Sequence, residues 1–440
     1  MSDSPPIAVG LREASGFWLK LGFISFGGPA GQIAIMHQEL VARRRWISEK
    51  RFLHALNYCM LLPGPEAQQL ATYLGWLMHR TRGGLIAGGL FILPSVFILI
   101  ALSWLYMACG QVPAVAGLLY GIKPAVVAIV LAAAWRIGSR AIKHPALWAL
   151  SVAAFCAVGL FSVPFPYVVA GAALAGMLGG RFAPRVFSGG TTHAGTASYG
   201  PALIDDDTPV PEHARFRPRR LAGMLAAGLA LWAVALGALV LVVGWEGTLA
   251  QMGWFFTKAA LLTFGGAYAV LPYVYQAAVE GHQWLSATQM IDGLALGETT
   301  PGPLIMVVAF VGFAGAWSQA VFGSLSLALA GVAGTLVATY FTFLPSFLFI
   351  FAGAPFVEAT HGNLRFTAPL VGITAAVVGV IVSLAVFFAR HVFVSAEGID
   401  GASIALAAAA LVALVRFKTG LIPVILASGA AGLCYRLFFA

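Results

Sequence analysis

The stretch Phe26-Gly27-Gly28-Pro29 returns later in the chain as Phe264-Gly265-Gly266, and Pro63-Gly64-Pro65 returns as Pro301-Gly302-Pro303. Both pairs have the same offset (264 − 26 = 301 − 63 = 238). Four single residues also match at this offset: Lys20 with Lys258, Ser25 with Thr263, Trp46 with Trp284 and Ser48 with Ser286. A register held without a gap over this length indicates an internal repeat.

The repeated motifs interrupt long apolar segments. Gly lowers helix stability and Pro removes a backbone donor, so each motif breaks the helix that its segment would otherwise form. Broken hydrophobic segments at corresponding places in two halves are typical of the substrate site of a secondary transporter.

Composition indicates a membrane protein. Of the 440 residues, 60% are hydrophobic and 9% are charged, whereas a soluble domain has about 25% charged residues. Apolar runs such as Leu85–Ala108 and Ala222–Gly244 are long enough to cross a bilayer as helices. We therefore predict an all-α polytopic membrane protein. The first ten residues lack a basic region before a short apolar run, so we expect no cleaved signal peptide.

Several classes of protein lack their sequence signature here. The net charge of +9 lies in short loops, so the positive-inside rule explains it without nucleic-acid binding. The chain has no Walker A, H-E-x-x-H or G-x-S-x-G pattern. Four cysteines are scattered without a C-x-x-C spacing: Cys59, Cys109, Cys156 and Cys434. We expect no enzyme activity, no metal, no cofactor and no ATP-driven pumping by this chain alone.

The repeat predicts four parts of the chain. Residues 1–180 form a first membrane repeat, 181–221 a polar cytoplasmic linker, 222–244 one connecting transmembrane helix, and 245–440 a second repeat. The similarity extends beyond the opening motifs, because Leu93-Pro94-Ser95 matches Leu344-Pro345-Ser346 (344 − 93 = 251). We interpret the linker as flexible and its run Asp205-Asp206-Asp207 as solvated, with weak metal binding as the alternative.

Charge asymmetry indicates that the two repeats are inverted. The first half holds a basic loop with five cations: Arg43, Arg44, Arg45, Lys50 and Arg51. The matching stretch of the second half, Glu280-Gly281-His282-Gln283, has no Lys or Arg. By the positive-inside rule the first loop is cytoplasmic and the second is external. The broken helices are then either re-entrant, or each half crosses the membrane six times; both arrangements invert the halves around the one connecting span.

Each break offers an anion the start of a helix. The first amide groups of a helix have no intrahelical partner, and the helix dipole favours negative charge there. The Gly pairs permit close approach to the backbone. Pro63 and Pro301 fix the breaks, and we expect Pro65 and Pro303 to open the next half-helices as first-turn prolines. Close helix packing is the alternative reason for such Gly and Pro residues.

Ionisable and polar residues near the breaks are further candidates. Glu66, Glu298 and Asp292 are candidate proton carriers, because acids at membrane depth are costly; helix capping is the alternative. Lys20 and Lys258 either attract the substrate or extend to the interface. The predicted substrate-binding set is Lys20, Phe26, Gly27, Gly28, Pro29, Gln32, Pro63, Gly64, Pro65, Gln68, Lys258, Phe264, Gly265, Gly266, Tyr268, Thr299, Thr300, Pro301, Gly302 and Pro303.

At these motifs the chain resembles the chromate ion transporters, in their long two-domain form, over nearly its whole length. The resemblance rests on five stretches: Phe26-Gly27-Gly28-Pro29, Leu62-Pro63-Gly64-Pro65-Glu66-Ala67, Phe91-Ile92-Leu93-Pro94-Ser95, Thr263-Phe264-Gly265-Gly266 with Tyr268-Ala269-Val270-Leu271-Pro272, and Leu294-Ala295-Leu296-Gly297-Glu298-Thr299-Thr300-Pro301-Gly302-Pro303. Many relatives have a third Gly where this chain has Ala267, which weakens the case for close backbone approach there.

The resemblance implies export of chromate from the bacterial cytoplasm across the inner membrane, driven by the proton gradient and giving chromate resistance. It also implies competition by sulfate, which has the same charge and shape. The expected partners are chromate, sulfate and membrane lipid, with a homodimer left open. Alternatives are a transporter of sulfate or another oxyanion, a passive anion channel, and a membrane-embedded chromate reductase; the last would need a redox signature that the sequence lacks.

Overall fold

The computed structural model describes residues 9–26, 28–110, 112–187, 199–209, 211–264, 266–360, 367–395 and 398–438. Over these residues the chain is almost entirely helical, with one hairpin of two-residue strands, β1 (Val394–Ser395) and β2 (Gly398–Ile399). Within these described ranges, seven helices are long and apolar enough to cross a membrane. The predicted class, an all-α polytopic membrane protein, is confirmed.

The helices before the linker run in chain order from a broken segment to longer spans. They are α1 (Leu11–Ile24), α2 (Gly28–His37) with a π-helical turn at Gln38–Arg43, α3 (Glu49–Leu61), α4 (Glu66–Cys109), α5 (Pro113–Ala141), α6 (Pro145–Gly159), α7 (Phe165–Phe182) and the short α8 (Pro184–Phe187). The long α4 is two helices joined at a break, because His79 and Arg80 have non-helical backbone angles.

The remaining helices follow a short 3-10 turn at Glu212–Ala214. They are α9 (Pro218–Val243), α10 (Thr248–Leu262), α11 (Ala267–Tyr275) with a π-helical turn at Gln276–Gly281, α12 (Ala287–Thr299), a 3-10 turn at Leu304–Met306, α13 (Val307–Ser318), a 3-10 turn at Ser324–Ser326, α14 (Leu327–Thr360), α15 (Thr367–Phe393), α16 (Gly401–Val415) and α17 (Leu421–Phe438).

Helix bounds in the two halves recur at constant offsets. Helix α3 coincides with α12 at the offset of the sequence repeat (287 − 49 = 299 − 61 = 238), and the first π-helical turn coincides with the second at the same offset (276 − 38 = 281 − 43 = 238). Helices α6 and α7 coincide with α16 and α17 at a larger offset (401 − 145 = 421 − 165 = 256). The sequence repeat therefore has a counterpart in secondary structure, while the inverted orientation of the halves in a membrane stays a prediction.

The broken segments consist of short helices. At a rise of about 1.5 Å per residue, the 14 residues of α1 span about 21 Å, which is less than the roughly 30 Å of a hydrocarbon core. Ser48 caps α3, and Ser286 caps α12 in a capping box with Gln289. Pro65 and Pro303 lie one residue before the helices they precede, at the N-cap, so the expected first-turn position is wrong by one residue.

The two halves interleave in the core. Helix α5 packs against α15, α16 and α17, and α6 and α7 pack against α15. Helix α14 of the second half packs on α4 and contributes Ile350, Phe351 and Ala354 to the buried cluster of the first half. The breaks of the two halves are thereby held within one packed structure.

The described part of the linker is docked onto the first half, so the flexible interpretation is wrong there. Ile204 forms a parallel bridge with Ile47 and is buried, as is Ala214. Ser48 donates a hydrogen bond to Asp206 over 2.6 Å. The residues 188–198 of the linker lie outside the described residues. The acidic run is engaged in backbone and side-chain hydrogen bonds near Asp205.

Candidate functional site

Each Pro-Gly-Pro turn is hydrogen-bonded to the backbone of the other half of the chain. The Gly64 amide donates to the Thr263 carbonyl over 2.7 Å, and the Gly302 amide donates to the Ser25 carbonyl over 2.8 Å. The two hydrogen bonds correspond at the offset of the sequence repeat, since 302 − 64 = 263 − 25 = 238. Each turn therefore contacts the chain immediately before the Gly-Gly motif of the other half, and we call this meeting point the crossed break.

Side chains satisfy carbonyls of both turns. Gln32 Nε2 donates to the Gly302 carbonyl over 2.5 Å and to the Ser25 carbonyl over 3.3 Å. The Ser95 hydroxyl donates to the Pro301 carbonyl. Gln69 Nε2 donates to the Pro63 carbonyl over 2.8 Å. Because a helix break frees backbone groups that must be paired inside a bilayer, these side chains stabilise the broken conformation.

The glycines of the crossed break fall into two kinds. All four described ones have positive φ: 73° at Gly28, 126° at Gly64, 97° at Gly266 and 107° at Gly302. A Cβ at Gly64 would collide with Gln69 and Ser346, and a Cβ at Gly302 would collide with Ser95. A Cβ at Gly28 or Gly266 would meet nothing within 4 Å. The turn glycines are thus needed for packing, whereas Gly28 and Gly266 border open space; Gly27 and Gly265 lie outside the described residues.

Polar atoms without a partner collect on the same elements. Among the residues that the structure describes, five of these buried atoms are Ser25 Oγ, Gln32 Oε1, Gln68 Oε1, Gln69 Oε1 and Ser346 Oγ. Buried polar groups are nearly always paired, by protein, water or ligand. The two hydroxyls can donate to an oxyanion, and the half-helices that begin at Gly28 and Ala267 have the positive ends of their dipoles at these motifs.

Glu298 accepts a hydrogen bond from a tyrosine and is subject to the charge of an arginine. It is 7% exposed, and the Tyr268 hydroxyl donates to its Oε1 over 2.6 Å. Arg136 interacts electrostatically with both side chains. The end of the apolar run predicts a loop at Arg136, but this residue lies within α5. Three helices, α5, α11 and α12, therefore meet at this carboxylate, three residues before the Pro301 turn.

Asp292 lies beside Lys123, a second cation of helix α5. Its Oδ2 accepts from the Tyr106 hydroxyl over 2.8 Å and lies 3.6 Å from Lys123 Nζ. Its Oδ1 is buried without a partner in the described part of the chain. Lys123 was not among the residues predicted from the sequence, although a lone cation within an apolar segment is a signal for function.

Two other carboxylates lie on the α3, α4 and α14 side. Glu66, the first residue of α4, is half-buried beside the Cys59 thiol and makes no hydrogen bond or ion pair with the residues described. Glu358 accepts from the Tyr73 hydroxyl and lies 3.5 Å from an Arg51 nitrogen, which links the halves through a buried ion pair. Arg51 was not predicted to pair with a buried carboxylate, because its place among the cations of a basic loop suggested an exposed charge.

The other predicted site residues are exposed, pack against apolar side chains, or donate hydrogen bonds to backbone carbonyls. Lys20 is exposed on α1, and Lys258 lies 5.6 Å above the Trp254 ring. The hydroxyls of Thr299 and Thr300 donate to the Leu296 carbonyl over 2.9 and 2.7 Å. Half-buried positions are occupied by Phe26, Pro29, Pro63 and Phe264, and buried ones by Pro65, Gln68, Pro301 and Pro303.

Comparison with known proteins decides the family. The family model described as "Chromate transporter" matches residues 13–177 and 250–433. The chain belongs to the chromate transporter family. It is 33% identical over 422 residues to a chromate transport protein of Pseudomonas aeruginosa, covering 94% of this chain and 90% of that protein. It is 30% identical over 424 residues to one of Cupriavidus metallidurans, covering 96% and 92%. No solved structure matches.

Membership of the chromate transporter family indicates a transporter rather than an enzyme, and its apolar helices make it a multi-pass membrane protein. A probable chromate transport protein of Synechococcus elongatus is 27% identical over 387 residues, which cover 87% of this chain and 86% of that protein. The family model leaves out residues 178–249, which contain the linker and α9, and it matches the stretches on either side that carry the crossed break.

Proposed function

We propose that this chromate transporter family member exports chromate from the bacterial cytoplasm across the inner membrane and thereby confers chromate resistance. The observation that carries the proposal is the crossed break. There, the broken segments of the two halves of a multi-pass membrane chain are joined by two backbone hydrogen bonds at equivalent positions of the repeat. Curated relatives that match over most of their length are named chromate transport proteins.

The substrate would bind where the half-helices begin. Gly28 and Gly266 border open space, and the helices α2 and α11 begin at these positions. A tetrahedral dianion fits amide and hydroxyl donors, including Ser25. Two inverted halves that rock about the crossed break would expose the site to each side in turn.

Proton coupling would use the buried carboxylates. Glu298 is the leading candidate, because it lies three residues before the Pro301 turn, accepts a hydrogen bond from Tyr268 and is subject to the charge of Arg136. Uptake of a proton removes the charge that Arg136 faces, so it changes the electric field at the crossed break. Glu66 and Asp292 are the second and third candidates, since both are carboxylates on elements that adjoin the breaks.

Sulfate is the second candidate substrate. Backbone amides recognise charge and tetrahedral shape, which sulfate shares with chromate, so the geometry favours neither ion. A passive anion channel is the remaining alternative, and it would need no carboxylate at membrane depth.

Uptake of radiolabelled chromate and sulfate into inverted inner-membrane vesicles tests the proposal, because uptake there reports export. We expect chromate uptake that depends on an imposed proton gradient and resists a modest excess of sulfate. Stronger uptake of sulfate would make the chain a sulfate transporter. Accumulation of chromate that is indifferent to the gradient would refute proton coupling and favour the channel.

A further inference from the structure

A basic pocket lies where the linker meets the two halves. Its cavity has a volume of about 200 Å³. It lies at the end of the 66–78 part of α4, so about 20 Å of helix separates it from the break at Pro65. Its polar lining includes Arg80, Arg217, Arg220 and His213, and its apolar lining includes Trp76, Met224, Phe351 and Pro355.

The lining carries an excess of positive charge. Three guanidinium groups face one carboxylate, that of Glu212. Within the described ranges, no carboxylate forms an ion pair with Arg80, Arg217 or Arg220. Arg220 instead donates to the His213 carbonyl over 2.6 Å. Two positive charges are therefore left without a counterion in the pocket.

His213 reports the field inside this pocket. Its Nε2 forms a hydrogen bond with the Trp76 carbonyl over 3.0 Å. Burial and the nearby Arg80 and Arg220 lower the pKa of His213 below its ordinary value, despite its hydrogen bond to that carbonyl. The guanidinium groups of Arg80 and Arg220 therefore lie close enough to act on one ring.

The positive-inside rule accounts for arginines in cytoplasmic loops but not for their convergence on one cavity. Arg80 comes from the break in α4, and Arg217 comes from the start of α9, on the far side of the linker in the sequence. Arg80 also holds φ 56° and ψ −159°, a strained region for a residue other than Gly. Such strain persists where the surrounding structure fixes the residue, and it is concentrated at ligand sites.

We infer that this pocket binds a tetrahedral oxyanion, either a free dianion such as sulfate or the phosphate group of an anionic lipid, outside the transport path. Guanidinium groups suit both, because their planar donors match oxyanion geometry. The apolar lining from Phe351 and Met224 adjoins the membrane-spanning helices α14 and α9. An oxyanion here would join the first half, the linker and the second half, and the inference stands whether or not the chain exports chromate.

Binding of radiolabelled sulfate to the purified full-length chain, at constant ionic strength set with chloride, tests the pocket. Arg217→Gln and Arg80→Gln each remove one lining charge. Arg219→Gln is the matched control, because it removes the same charge from the same turn of α9 but does not line the cavity. We expect the dissociation constant of one sulfate site to rise at least tenfold in both pocket variants and to stay within twofold in the control.

Nanodiscs of phosphatidylcholine, with or without phosphatidylglycerol, distinguish the two sources. Weakening of sulfate binding by phosphatidylglycerol in the wild type, but not in Arg217→Gln, identifies the lipid phosphate as occupant. Unchanged sulfate binding identifies the free anion. Equal sulfate binding by the pocket variants and Arg219→Gln in both lipids overturns the inference. Since no transport is measured, failed export in vesicles with intact sulfate binding would refute only the proposed function.

Discussion

Replacing Gly302 by Ala tests whether the crossed break depends on backbone geometry and close packing together. Gly302 has a φ of 107°, and an added Cβ would collide with the Ser95 side chain. Gly266 is the matched control, because its φ of 97° is similar but an added Cβ would meet nothing within 4 Å. The difference between the two Ala variants therefore isolates the collision from the backbone strain.

The expected magnitudes follow from these two terms. Holding Ala in a sparsely populated backbone region costs about 1–3 kcal/mol, which both variants share. Overpacking against Ser95 adds about 1–3 kcal/mol in Gly302→Ala only. Gly302→Ala should therefore lower the free energy of unfolding by about 2–6 kcal/mol, and Gly266→Ala by about 1–3 kcal/mol. Ser95→Ala alone loses one hydrogen bond to the Pro301 carbonyl, worth about 1 kcal/mol.

Denaturant titration of the purified variants in mixed micelles measures these differences. We expect the double variant Gly302→Ala with Ser95→Ala to be more stable than Gly302→Ala alone, because removal of the hydroxyl makes room for the new methyl group. If Gly302→Ala is as stable as Gly266→Ala, or if Ser95→Ala gives no recovery, then close packing does not hold the crossed break.

Three further changes test the ionisable groups. Glu298→Gln should fold and still bind chromate, but its gradient-dependent uptake into inverted vesicles should fall at least tenfold; full uptake would exclude Glu298 as the proton carrier. Glu358→Gln leaves Arg51 buried without its anion and should cost about 3–5 kcal/mol in micelle titrations, whereas adding Arg51→Met should recover part of it. Lys123→Met should lower the melting temperature more than the Lys123→Met, Asp292→Asn double variant, and equal losses would show that the two charges are not coupled.

The position of each break was readable from the sequence, because Gly and Pro act on the backbone locally. Helix α3 ends directly before the Pro63 turn and α12 directly before the Pro301 turn, as the motifs predicted. The residues that each break contacts could not be predicted from the sequence. The partner of Gly64 is Thr263, in the other half of the chain, and no local rule brings these two residues together.

Buried charges were harder to predict than breaks. A cluster of charges ordinarily indicates the end of an apolar span, but Arg136 lies within α5, which continues to Ala141. Composition also made the linker look flexible, since it is rich in Asp, Pro and Gly. Instead, the buried side chain of Ile204 attaches the linker to the first half. One apolar residue in a polar stretch is too weak a signal to predict this attachment from the sequence.

The backbone of the crossed break is repeated, but its charges are not. In the alignment of the two halves, Glu298 corresponds to Met60 and Glu66 corresponds to Leu304 (298 − 60 = 304 − 66 = 238). Lys123 corresponds to Thr374 in the later block of the repeat (374 − 123 = 251). A pair of halves with identical charges would have equal energies when they exchange their conformations, whereas charges confined to one half make the two conformations respond differently to protons and to the membrane potential. The repeated glycines and prolines therefore account for the shape of the crossed break, and the unmatched charges are where its two conformations would come to differ in energy.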